Sequence, residues 1–61
     1  MDNMLTSKET VLLKDLLTYE ETACKKARLY SRILTNKELA DKMIRIADNH
    51  QKRFNKLYEL L

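Results

Sequence analysis

Apolar residues recur along this chain in alternating steps of three and four. One run picks out Leu13, Leu16, Glu20, Ala23, Ala27, Tyr30 and Leu34, and a second picks out Ala40, Met43, Ala47, His50, Phe54, Leu57 and Leu61. Such steps keep the marked side chains on one stripe of an α-helix. The pattern predicts two helices, Ser7 to Ile33 and Asn36 to Leu61, with a turn at residues 34–35. Each has about 26 residues and is therefore about 39 Å long at 1.5 Å per residue. A connection that short makes its two helices antiparallel neighbours. The expected fold is all-α, a single domain over residues 1–61 built as a long antiparallel helical hairpin.

The predicted helix starts share a phrase. LTSKE runs from Leu5 to Glu9, and LTNKE from Leu34 to Glu38. A Thr followed three residues later by Glu is a capping box, in which the hydroxyl accepts from the third helical N–H and the carboxylate reaches back to the Thr N–H. Thr6 with Glu9 and Thr35 with Glu38 both fit, and Leu34 is placed to staple onto Leu39. The residues after the two phrases do not align, so the phrase is read as a helix-start signal and not as a duplicated unit.

Apolar residues spill past both stripes: Val11, Leu12, Leu17, Leu29 and Ile33 on the first helix, and Leu39, Ile44, Ile46, Tyr58 and Leu60 on the second. A two-helix hairpin buries one stripe per helix, so an arc this wide asks for a second surface. Another copy supplies it most simply, giving a homodimeric four-helix bundle. Leu12, Leu17, Ile33, Ile44, Ile46 and Leu60 are the candidate interface. At about 25 cal/mol per Å², covering them contributes several kcal/mol to a fold that is marginal alone.

Glu20 and His50 interrupt the apolar stripes. Each lies 15 residues from Thr35, so an antiparallel hairpin brings them to the same height. A buried carboxylate or imidazole is costly without a partner, and the matched heights make each the partner of the other. Two readings are open. In one they form a hydrogen-bonded pair that sets helix register. In the other, Glu20 and His50 of two copies converge on a metal such as zinc or iron, with Cys24, one turn on, offering a thiolate. The residue three before His50 is Ala47, so the Glu-x-x-His element of a di-iron bundle is incomplete. Glu21 and Asp48 are expected to point outward.

The composition narrows the function classes. The 61 residues include no Gly and no Pro, against a sheet fold with its turns. No apolar run approaches the roughly 20 residues of a membrane span, and the first residues lack a leader pattern. One cysteine, Cys24, excludes an internal disulfide and reads as a small buried hydrophobe in a reducing compartment. The net charge of +3 is mild; Lys25, Lys26, Arg28 and Arg32, and Lys52, Arg53 and Lys56, read as solvated faces and not as a nucleic-acid stripe. Tyr19, Tyr30 and Tyr58 suit bundle edges and Met43 a core gap. No catalytic motif and no resident cofactor is indicated.

The stretch from Leu16 to Leu57 resembles the Coat F family of spore coat proteins, ferritin-like helical proteins of spore-forming bacteria. The likeness rests on Leu16-Leu17 with Glu20 following, on Asn36 and Leu39 opening the second helix, and on Gln51 after His50. The segment IADNHQKRF, Ile46 to Phe54, is also similar to the second helix of rubrerythrin-type proteins, with Ala47 where their metal-binding Glu stands. The resemblance implies a ferritin-like, non-enzymatic structural or assembly protein that packs with itself and with other spore proteins, in the cytoplasm or the spore coat. The alternatives are a metal-binding bundle and a small regulatory adaptor on a larger protein.

Overall fold

A computed structural model of the chain describes residues Met4–Leu61; Met1–Asn3, on which the expectation about a leader falls, lie outside the described residues. The fold is the hairpin: α1, Ser7–Ile33, and α2, Lys37–Tyr58, pack against each other, and no strand occurs among the described residues.

The two helix starts use different chemistry despite the shared phrase. At α1 the capping box forms as expected: Thr6 Oγ1 accepts from Glu9 N–H at 3.1 Å, and Thr6 N–H donates to Glu9 Oε1 at 3.0 Å. At α2 the cap is Asn36, one residue later than Thr35, with its Oδ1 accepting from Leu39 N–H at 2.9 Å. The phrases differ only at their third residue, Ser7 in one and Asn36 in the other. Asn is a better N-cap than Thr, and the chain gains one more non-helical residue for its reversal. The shift dissolves the expected Thr35–Glu38 box, and Leu34 and Leu39 no longer stand at the staple positions about the cap; Glu38 instead lies 3.6 Å from Lys42 one turn on. At the other end α2 stops at Tyr58, short of Leu61, and Leu60 and Leu61 donate to the carbonyls three residues back.

On α2 the expected stripe is the inner one as far as Leu57: Ala47 is buried, and Ala40, Met43, His50, Phe54 and Leu57 are half-buried, whereas Leu61, past the helix end, is exposed. On α1 the stripe is rotated. Leu13, Leu17, Glu20, Cys24 and Ala27 are buried, whereas Leu16 and Tyr30 are exposed. Two three-four frames share Leu13, Glu20 and Ala27, and a small roll of the helix about its axis selects Leu17 and Cys24 over Leu16 and Ala23. Small side chains at Cys24, Ala27 and Ala47 form the tightest part of the core, where the helices can approach closely.

The Cα atoms span 46 × 18 × 10 Å, a plate one helix thick. Its accessible surface is 5077 Å², several hundred Å² above the roughly 4,200 Å² of a compact chain of this mass.

Candidate functional site

Glu20 sits at mid-length of α1 and is only 6% exposed. His50 Nδ1 lies 2.5 Å from its Oε1, and Arg53 Nε donates to its Oε2 at 2.8 Å. A carboxylate accepts only, so His50 carries its proton on Nδ1 and donates it. Arg53 Nη2, 3.0 Å from the same Nδ1, then makes a packing contact, because that nitrogen has no lone pair left to accept with. Tyr19 closes the group with an edge-to-face contact on the His50 ring, centroids 6.2 Å apart. The Glu20 carboxyl is held below the ordinary carboxylate range, first by the hydrogen bond from Arg53 and then by that from His50, against the opposing effect of burial.

The Glu20–His50 pairing is therefore present as the heights demand, but it is a three-residue clamp. Arg53 was hidden among the basic residues of an outward face. Its signal was the interval: three residues after His50 is the same side of the helix one turn on.

The clamp's chemistry is limited by its completeness. Both carboxylate oxygens are engaged, and Arg53 occupies the position a cation would take; a metal at Glu20 has to displace it. Among the described residues no group of three or more His, Cys, Asp or Glu is gathered to hold a metal ion. A carboxylate-oriented imidazole is also half of a nucleophilic dyad. The one thiol, however, is directed elsewhere: Cys24 Sγ approaches Gln51 Oε1 at 3.9 Å. Beside it lies an open notch of about 120 Å³ lined by Glu21, Cys24, Lys25, Gln51 and Phe54, well below the size of a ligand pocket. Glu21 and Asp48 are exposed as expected, and Asp48 pairs with Arg28 at 3.1 Å.

The cross-helix contacts orient the plate's two broad faces. With about 100° of turn per residue, Glu20–Arg53 and Tyr19–His50 mark one side of the seam, and Arg28–Asp48 and Cys24–Gln51 the other. On the clamp side lie Leu12, Leu16, Tyr19 and Tyr30 of α1 with Leu39, Ile46 and Leu60 of the second arm, between 40% and 63% exposed. The opposite side carries Lys14, Glu21, Lys25, Arg28 and Arg32 with Asp48, Gln51 and Asn55. Most of the greasy flank residues thus share one broad face, and the other face is mainly polar, with Ile44 and Tyr58 exposed on it.

Of the six candidate interface residues, the structure gathers Leu12, Ile46 and Leu60 on that face. Leu17 belongs to the hairpin's own seam, 8% exposed, because the roll of α1 turned it inward. Ile44 falls on the polar side and Ile33 on the edge of α1 away from α2, by helical rotation from their neighbours. Leu16, Tyr19 and Tyr30 lie exposed on the same face.

No known family, curated protein or solved structure matches the chain. No helix among the described residues is long and apolar enough to cross a membrane.

Proposed function

We propose that this protein is a non-enzymatic assembly protein whose two copies close on each other through the apolar broad face, forming a four-helix bundle. The observation that carries this reading is the plate itself. Domains are normally two layers about a shared core, and here one layer leaves a broad, largely apolar face uncovered, with Arg53 at its middle. Its excess surface is comparable with the roughly 800 Å² per partner of a standard interface. The clamp serves as a register lock between the helices, a use for which buried polar groups are attested. The Coat F likeness of Leu16-Leu17, Glu20, Asn36, Leu39 and Gln51 extends the reading to deposition in a spore layer.

Light scattering across a dilution series tests the pairing. The expected mass is twice 7.3 kDa at micromolar concentration, with a melting temperature that rises with protein concentration. A folded species of 7.3 kDa at all concentrations overturns it. For the spore-layer extension, a fluorescent fusion in a sporulating bacterium should form a ring at the spore periphery; diffuse cytoplasmic signal overturns that part alone.

A further inference from the structure

We propose that the outer edge of α1 beside the turn is a docking surface for an anionic lipid bilayer. Glu20 and His50 divide the plate into a turn side and an open side. Residues 21–49, on the turn side, hold seven Lys or Arg against four Asp or Glu, and the remainder holds five against five. The whole net charge of +3 therefore belongs to the turn side. Within it, residues 22–37 contain five cations and no acid.

Helical rotation gathers most of that charge along one edge. Leu29 lies two residues past buried Ala27, about 200° round the helix, and so faces away from α2. Ile33 follows one turn on, and the two are 51% and 63% exposed. Lys25 and Arg32 border this apolar line toward the polar face, Lys26 borders its other flank, and Lys37 stands just past the turn; all four are exposed. Arg28 is already paired with Asp48, and Lys42 with Glu38. Glu21 and Asp41 stand one turn from Lys25 and Lys37, yet no ion pair reaches Lys25, Lys26, Arg32 or Lys37 among the described residues. Asp15, Thr18 and Thr22 continue the edge toward the open end, so the cationic, apolar strip is confined to the turn half.

The mixture selects the occupant. The phosphates of a nucleic acid satisfy the cations but leave Leu29 and Ile33 against a charged backbone. A bilayer boundary takes up aliphatic side chains while the flanking Lys and Arg stems reach anionic headgroups. Each such cation contributes about fivefold to binding. With so short a strip, the binding is reversible and screened by salt. Closing two copies through the clamp side leaves this edge uncovered, so the docking surface does not depend on that pairing.

The test is sedimentation with vesicles of phosphatidylcholine alone and of phosphatidylcholine with about one-third phosphatidylglycerol, at about 0.05 and about 0.5 M salt. The chain should bind only the anionic vesicles, and only at the lower salt. Lys26→Gln and Arg32→Gln should each weaken binding roughly fivefold. Lys8→Gln and Lys52→Gln, equally exposed but on the open side, should weaken it less than about twofold. Leu29→Trp should shift its emission to the blue on the anionic vesicles, the chain having no other tryptophan. No binding, equal binding to neutral vesicles, or equal losses from all four cations overturns the surface. Binding without the blue shift, or tighter binding to duplex DNA at the same phosphate concentration, overturns the lipid assignment. The vesicle comparison itself needs no variant, and the five substituted side chains are exposed, so circular dichroism should show the hairpin kept in each.

Discussion

The two broad faces of this plate are made by the same two helices, yet they do different work. On one, the ion pair is Glu20 with Arg53, built on a carboxylate that is almost fully buried, and around it lie leucine, isoleucine and tyrosine. On the other, Arg28 and Asp48 form an ion pair at a similar distance, with both side chains well exposed and polar residues around them. Distance alone does not rank the two pairs. A buried carboxylate that loses its donors is left as a desolvated charge, whereas an exposed one is returned to water. The clamp side is where a substitution is expected to matter most for the hairpin.

The largest contrast is expected from a charge placed on each face. Leu16→Lys should weaken self-association by roughly a hundredfold, about 3 kcal/mol, because it combines lost apolar area with a desolvated ammonium. Ile44→Lys, on the polar side, should change it by less than about twofold. Equal effects in analytical ultracentrifugation would erase the distinction between the faces. Next comes the pair of carboxylates. Glu20→Ala should cost about 2 kcal/mol in chemical denaturation, below the full range for a broken buried pair because Arg53 keeps access to water. Asp48→Ala should cost less than about 1 kcal/mol.

Acid sharpens the same comparison. Because Glu20's carboxyl is held low in the folded chain, first by Arg53 and then by His50, the unfolded chain takes up its proton at higher pH. The clamp's contribution is complete above about pH 4.3, the ordinary glutamate value, and fades as the pH falls through the lower folded value. The stability difference between wild type and Glu20→Gln should therefore be flat from pH 7 to 5 and shrink on further acidification. A constant difference down to pH 2 would remove the clamp from the account. The smallest effects lie at the helix starts: Asn36→Ala should cost about 1 kcal/mol and Thr35→Ala only a few tenths, with the order read from melting curves.

Much of this was legible in the residues. The three-four spacing carried both helices and the antiparallel hairpin, and α1 begins and ends where the pattern places it. Equal intervals from Thr35 brought Glu20 to His50. Helix periodicity and heights are local counting, independent of what surrounds the chain. The cap of α2 was misplaced by one residue because Thr35 and Asn36 are both competent caps, and the reversal of the backbone, not the phrase, chose between them.

The sequence by itself determined that there are two rods, where they turn, and that a carboxylate and an imidazole meet between them. Only the tertiary structure decided the roll of α1, and with it that Leu17 and Cys24 face inward while Leu16 and Tyr30 face out. It alone showed that Leu12, Leu16, Leu39, Ile46 and Leu60 share one broad face and that Arg53 completes the clamp. The reason is that two heptad frames differ by a rotation smaller than one residue's turn. Intrahelical spacing is indifferent to so small an angle, and the partner helix is not.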